Sequence, residues 1–600
     1  MNRRQLLKSI AASLVHVSIL RRVPSVAALA TKITNRRFRP TDPEWPRASS
    51  WEELKKAVGG NLVEVRSMFG TCPTNAKDPA CVEAMDHIRN PFYIGDHPGG
   101  TQVSGWLNAW TPSPSVYAVS ARNAHDVAAA VDFARKHNLR LVVKGGGHSY
   151  LGTSNAPDSL LVWTRAMNKV TLHDEFVPKG CVGKMKGVPA VSAESGAMWI
   201  DLYQAVTTEG GRYVQGGGCT SVGSAGLVQS GGFGSFSKGF GTAASSLLEA
   251  EVVTADGRIR TVNACSDPDL FWALKGGGGG SWGVVTRVTL RTHELPQFFG
   301  WAGGRIKATS DESFRKLISH FINFYSSNLL NPHWGESVTL HTDNTMEISM
   351  VGQGLSLEQI KQVWQPFFDW VRANTTDFSP ASRLRTGGGL ARDWWKASND
   401  SMVRDQRPGA PKHHAWWKGD QGQVGAFLHG YDSLWLPASL LQPQQQSKLS
   451  DALFAASRAK AVQLHFNKGL AGGSPAAIAA AKNTATNPAV CDAFCLAIIA
   501  DGQRPSYPGL ERPTMDVAAA NEDARKISSA SAQLRKIVPD AGSYVSESNY
   551  FNNEWQRAYW GRNYQRLRAV KRKYDPSGLF FVHHGVGSEE WSADGFTRVS

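Results

Sequence analysis

The 600-residue chain contains no apolar run long enough to cross a bilayer stably, so no integral membrane contact is expected. It contains no GxGxxG, which excludes the ordinary Rossmann dinucleotide fingerprint. The net charge is +15, but Lys and Arg are scattered and form no long basic run. The densest stretch, residues 562–573 (RNYQRLRAVKRK), reads at helical spacing as a solvated helix face, so no nucleic-acid partner is expected. Internal repeats are absent, and the only compositional bias is in glycine loops. No metal-ligand set stands out, and no metal is expected.

What the chain has is glycine, tryptophan and length. Its 59 Gly imply many tight turns, or backbone packed close to a ligand. With 42% hydrophobic and 19% charged residues it is globular, and 600 residues exceed one core of roughly 250–300, so two or more domains are expected. The N-terminus opens MNRRQLLK, with Arg3 and Arg4 followed by a short apolar stretch at 10–20 and Ala28-Leu29-Ala30. Residues 1–30 therefore read as a twin-arginine signal peptide, whose export machinery carries folded proteins to a periplasmic or secreted address. Seven cysteines are an odd number in an exported chain: Cys72, Cys81, Cys181, Cys219, Cys265, Cys491 and Cys495. Cys72 and Cys81 are close enough to bridge. Cys491 and Cys495 could also bridge, though a helix there would strain the bond. If Cys219 is consumed by another bond, six remain.

Residues 31–111 read as an irregular N-terminal extension. From Ser115 a strand, a helix capped by Asn123 and a second strand at 139–143 run into Gly145-Gly146-Gly147-His148-Ser149. Three glycines after a buried strand let backbone N–H groups approach a pyrophosphate. A structural turn with a backbone-satisfied histidine is the competing reading. A second glycine region carries Cys219 at 216–226, with Val222, Gly223 and Gly226, and continues to Gly234. The cysteine reads either as a small buried hydrophobe or as a reactive group among glycines. After Pro296 strands and amphipathic helices alternate to about 540, with tryptophan pairs at 394–395 and 416–417. These read as core material or as platforms for flat substrates. One helix is expected near 555–573.

These motifs in this order resemble the berberine bridge enzyme-like flavoproteins of the vanillyl-alcohol oxidase superfamily. The resemblance covers residues 112–295 and 541–586. It rests on KGGGHSY at 144–150, the glycine–cysteine region at 219–234, and DPDLFWALKGGGGGSWGVVT at 267–286. GRNYQRLRAVKRKYDP at 561–576 and FFVHHG at 580–585 complete it. The family's fold is α+β with two domains. It implies a PCMH-type FAD-binding domain at 112–296 and an antiparallel-sheet substrate domain capped by helices at 297–540. A C-terminal segment, 541–600, would return to the FAD domain.

The resemblance implies FAD bound bicovalently, through His148 at the C8-methyl and Cys219 at C6. Gly145, Gly146, Gly147, Ser149, Gly223, Gly226 and Asn563 would bind the cofactor. Val222 would admit dioxygen, where leucine would mark a dehydrogenase. The family's base motif Tyr-x-Asn-Tyr-x-Asp is altered here to Tyr544-Val-Ser-Glu547-Ser-Asn549, so Glu547 would be the catalytic base and Tyr544 the second candidate. An ion-paired Glu547 without chemistry is the alternative. His583 and His584 would face the flavin or serve structure, and Leu227 replaces a histidine common in the family. The expected activity is oxidation of an alcohol-type small molecule, a sugar or an aromatic alcohol. A hydride would pass to the FAD and dioxygen be reduced to hydrogen peroxide. The alternatives are a flavin dehydrogenase with a quinone or cytochrome acceptor, and a non-catalytic carbohydrate-binding flavoprotein.

Overall fold

The strand Arg140–Lys144 is almost wholly buried, as its apolar Leu-Val-Val centre requires, and pairs in parallel with Ser159–Trp163. This is a computed structural model that describes residues 36–510 and 515–599; the expected signal peptide, residues 1–30, lies outside them. Tyr117–Ser120 and then Leu62–Glu64 complete a four-stranded sheet, the last pairing antiparallel. The helix Ala124–Lys136 crosses this sheet. The Asn123 side chain accepts from the N–H groups of His125 and Asp126 at its start, and Val127, Ala130, Val131 and Ala134 bury its apolar stripe. A second, antiparallel sheet of five strands follows. Its order is Ile259–Asn263, Leu247–Val253, Val284–Arg291, Val188–Glu194 and Val170–Phe176.

The third sheet has nine strands. It runs Phe378–Pro380, Phe298–Ala308, Thr345–Gln353, Trp334–Leu340, Val462–His465, Ala493–Gln503, Phe427–Pro437 and Gly105–Trp106. Arg385–Leu390 also pairs with Phe298–Ala308. It is antiparallel except where Gly105–Trp106 joins Phe427–Pro437 in parallel. The helices Asp311–Phe324, Leu357–Ala373, Pro443–Ala459 and Val517–Arg535 bury their apolar stripes on one face of this sheet, in a single cluster. The period of two along a strand sends alternate residues to the other face. Met346, Ile348 and Met350 meet the helices, while Ser349 and Val351 line a cavity; likewise Val462 and Leu464 face the helices, and Gln463 and His465 the cavity. The chain thus has the expected α+β architecture, a glycine-loop body and a large helix-backed antiparallel sheet.

Three local expectations need correction. The extension is not irregular. It forms the helices Ala48–Ala57, Pro79–Asp86 and Pro91–Gly95, buries Trp51 and Leu54 against the helix Ala124–Lys136, and contributes a strand to the large sheet. The expected helix near 555–573 is two, Trp555–Trp560 and Tyr564–Tyr574, broken at Gly561, whose φ of +52° is open to glycine and strained for other residues. Its basic face is also not solvated throughout. Lys571 is buried and its Nζ donates to Ser281 O, Phe580 O and Asp575, each at 2.7 Å, while Arg566 lies over the Trp272 ring.

Candidate active site

A cavity of about 680 Å³ lies between the glycine loops and the open face of the large sheet. Beneath its wall is Lys144, the last residue of the strand Arg140–Lys144 at the edge of the four-stranded sheet. The buried Lys144 Nζ donates to Pro98 O at 2.8 Å, to Gly100 O at 2.9 Å and to His97 O, which ties the extension to the glycine loop. Burial pulls this lysine down to about 7, with Asp96 opposing the shift. In the loop that follows, a Cβ on Gly146 would stand 2.9 Å from Gly223 N and 3.1 Å from Ser221 O. The two glycine regions therefore touch backbone to backbone, which neither position could do with a side chain. Gly147 takes φ +77° and turns the chain so that His148 enters the cavity wall. His148 Nε2 lies 3.1 Å from Ser221 Oγ, and burial lowers the imidazole to about 4, so it is neutral.

Gly145, Gly146, Gly147, His148, Ser149, Cys219, Val222, Gly223 and Gly226 all line this one cavity. The Ser149 hydroxyl is already engaged, accepting from Thr153 N and Thr153 Oγ1. A Cβ on Gly226 would meet nothing within 4 Å, so this wall is kept clear. Gly278, Gly279 and Gly280 add a third glycine wall. Asn563 is not brought to the cavity: its amide donates to Thr486 O at 2.8 Å and secures the start of the last long helix.

Cys219 is held from both sides. Trp417 Nε1 donates to Gly218 O at 3.1 Å and Thr220 Oγ1 to Ala415 O at 2.6 Å. The same segment carries Asp420 to the cavity. Burial first, then the neighbouring Asp420 carboxyl, push the thiol well above its ordinary value. Burial likewise raises Asp420 to about 6. Behind this segment His413 Nε2 and His414 Nε2 lie 2.8 and 3.1 Å from Asp201 Oδ1. Burial opposes the effect, but these contacts hold the Asp201 carboxyl well below the usual carboxylate range. Trp199 N and Ile200 N, beside Asp201, bond to Val222 O and Thr220 O. The Asp201 cluster therefore braces the cysteine loop from behind.

The expected base, Glu547, lines the cavity with both carboxylate oxygens on Lys468 Nζ, at 2.6 and 2.5 Å. Tyr544 is buried against Phe233, and its hydroxyl has no partner in hydrogen-bonding geometry. Burial pushes Tyr544 up, so it stays protonated. His583 Nε2 meets Tyr550 O at 2.9 Å with the two rings stacked at 3.8 Å, and His584 stacks on His583 in turn. Both line the cavity, and burial holds His584 down at about 3. Leu227 lies on the wall as well. All four tryptophans of the two pairs line the cavity, where Trp395 stacks on Tyr203 and Trp416 is buried near Phe92. Trp394 and Trp417 are less buried, 6.0 Å apart, at the cavity.

Glu336, Lys468, Asp420, Tyr150 and Tyr431 complete the polar and aromatic lining, and the sequence singled out none of them for a role. Glu336 shows why. Its strand neighbours Trp334 and Val338 and its cross-strand partner Met350 all belong to the helix-side cluster, so alternation assigns Glu336 to that side. It takes φ +66° instead and reaches the cavity, where Ser235 Oγ donates to it and burial raises its carboxyl. A non-glycine residue at this φ in mid-strand is strained and persists only because the surrounding structure holds it there.

An FAD binding domain family model matches residues 116–263, and a berberine and berberine-like model matches 533–587. A VAO-type flavoprotein oxidase of Thermothelomyces thermophilus, VAO615, is 27% identical over 94% of this chain and 95% of its own length. The crystal structure of the VAO-type flavoprotein MtVAO615 from Myceliophthora thermophila C1 matches with a TM-score of 0.75 at 25% identity. That match covers 94% of this chain and 100% of that one. Glucooligosaccharide oxidase from Acremonium strictum, described with a 6-S-cysteinyl, 8α-N1-histidyl FAD, shares the fold. Its TM-score is 0.63 at 19% identity, over 87% of this chain and 99% of that one.

Proposed function

We propose, from the premise that this chain is an FAD-linked oxidoreductase of the berberine bridge-like, vanillyl-alcohol oxidase type, that it holds FAD by two bonds, at His148 and Cys219. In this reading it oxidises an alcohol-type small molecule and passes the electrons to dioxygen. The observation that carries the reading is the placement of one histidine and one free cysteine, from two touching glycine loops, on the wall of the same cavity.

The residues fit the cofactor. Gly145, Gly146, Gly147 and Gly223 let the cavity wall pack backbone against backbone where a Cβ would press on neighbouring main chain, and Gly226 leaves open space within 4 Å. Buried polar atoms on the same wall have no partner in the protein, among them Gln102 Oε1, Ser195 Oγ, Gln229 Oε1 and Asn467 Oδ1, and a polar cofactor answers that need. When bound, the flavin supplies a two-electron acceptor that dioxygen regenerates. The chain's own work is positional and protic. Neutral His148 offers a nitrogen lone pair for attachment. Glu547, with its orientation fixed by Lys468, takes the substrate's hydroxyl proton. Trp394, Trp417, Tyr150 and Tyr431 give a flat aromatic setting that suits a sugar or an aromatic ring. The small Val222 leaves room for dioxygen.

The protein also carries disulfides at Cys72–Cys81 and Cys181–Cys265, while Cys491 and Cys495 are free. The 491–495 bridge that the spacing left open does not form. Cys491 ends the short helix Pro488–Cys491, whereas Cys495 lies in the strand Ala493–Gln503 with its side chain among the helix-side apolar residues. Two disulfides belong to an oxidising compartment, and the fungal origin of the relatives favours secretion over a bacterial periplasm. The test is anaerobic reduction by a panel of sugars and aromatic alcohols, followed by air. An oxidase bleaches with at least one alcohol and then releases one hydrogen peroxide per flavin. Bleaching followed by slow, peroxide-free reoxidation would contradict the dioxygen step.

A further inference from the structure

Attachment at the cysteine needs a thiolate, because the thiol form is a poor nucleophile. Cys219 lies in surroundings that disfavour the thiolate, since burial holds its proton on. One acceptor is built beside it. The residues on either side of the cysteine, Gly218 and Thr220, are each hydrogen-bonded to the segment 415–417, and the short helix Lys418–Gly422 that follows carries Asp420 onto the same wall. None of the helix's residues is fully buried, and Arg89 donates to Gln421 O beside Asp420 at 3.1 Å. Asp420 forms no ion pair among the described residues, whereas the neighbouring Glu547 is spent on Lys468 and Glu336 is bonded by Ser235. The wall also presents buried polar atoms without partners, Asn467 Oδ1 and Tyr544 Oη, which points to a ligand at this place.

We propose that Asp420 is the base that takes the Cys219 thiol proton and so drives the protein's own attachment of FAD at the flavin C6. This rests on the two-bond reading above. The Cys219 S–H bond breaks and its proton passes to Asp420. The sulfur–C6 bond forms, the C6 hydrogen leaves as a proton, and the electron pair enters the flavin, which returns it to dioxygen as hydrogen peroxide. The balance is one thiol, one flavin and one dioxygen to one thioether and one peroxide. The roles at the two tethers are then separate, since Asp420 shares the wall with Cys219 on the segment bonded to Gly218 and Thr220, and His148 lies against Ser221.

The experiment compares full-length wild type, Asp420→Asn and Asp420→Glu, purified as produced and analysed by peptide mass mapping. In the wild type the FAD mass should join the His148 and Cys219 peptides. In Asp420→Asn the FAD should stay on the His148 peptide with the Cys219 peptide free, and Asp420→Glu should restore the double linkage. Retention of the sulfur bond at wild-type extent in Asp420→Asn overturns the role of Asp420. Absence of a Cys219 linkage in the wild type overturns the two-bond reading itself. If Asp420→Asn yields no folded protein, the outcome is read from Asp420→Glu and from Cys219 alkylation by iodoacetamide in denatured Asp420→Ser.

Discussion

At the scale of single residues, contact distance decides what the glycine loops can carry. Gly146 has no room for a methyl group, because its Cβ would press on Gly223 N at 2.9 Å. Gly146→Ala should cost about 1–3 kcal/mol, as other forced overpacking does. It should also lower the flavin content of the purified protein; thermal melting with the flavin-to-protein absorbance ratio checks both, and an unchanged ratio would oppose the cradle. Glu547→Gln keeps the shape but removes the proton acceptor. The rate of flavin reduction should fall by roughly 10²–10⁴-fold, the usual span for loss of a general base. Rapid-mixing spectroscopy under nitrogen measures it, and an unchanged rate would return Glu547 to a plain ion pair with Lys468. Sequence served unevenly here. The loops that bring His148 and Cys219 to the cavity were legible because each residue follows three consecutive glycines, a pattern in the chain itself. Glu336 was not, because its place in the cavity depends on one backbone angle that inverts the strand's alternation. Asp420 and Lys468 come from two short helices, Lys418–Gly422 and Phe466–Lys468, where no periodicity announces a role.

At the scale of elements, what joins the glycine loops to the large sheet is a buried cation. Lys238, at the end of the second glycine region, donates from Nζ to Gly469 O, Ala471 O and Phe494 O, at 2.5, 2.9 and 3.0 Å. Burial pulls this lysine down to about 7, yet three carbonyls converge on it. Lys238→Met would leave those acceptors unmatched and should cost about 3 kcal/mol, mostly as unmet buried polar groups. Equilibrium urea unfolding gives the value, and a change below measurement error would show that the carbonyls find water instead. Strand and helix types were largely readable from periodicity, as with the helix capped by Asn123. The break at Gly561 and the helices of the extension were missed. A single left-handed glycine and short helices stabilised by tertiary burial leave little local pattern.

At the scale of the whole molecule, the cavity lies between two bodies that the chain crosses repeatedly. The extension lends a strand to the large sheet, and the C-terminal residues bridge back, Phe580 to Leu141 and Thr597 to Arg36. The expected division into an α+β cofactor body and a helix-backed sheet was legible from the change of texture after Pro296. The stapling was not, because pairings across hundreds of residues leave no mark on either partner alone. Cys181–Cys265, 84 residues apart, adds a covalent staple. The double variant Cys181→Ser/Cys265→Ser should lose about 2–4 kcal/mol and melt lower by calorimetry; equal melting would show that the bond is incidental to stability. The central claim is that one FAD is joined to both glycine loops, and intact-flavin peptide mapping after acid precipitation tests it most directly. The account predicts a yellow precipitate and, after digestion, one species in which the His148 and Cys219 peptides share a single FAD. A colourless precipitate with all flavin in the supernatant would contradict it.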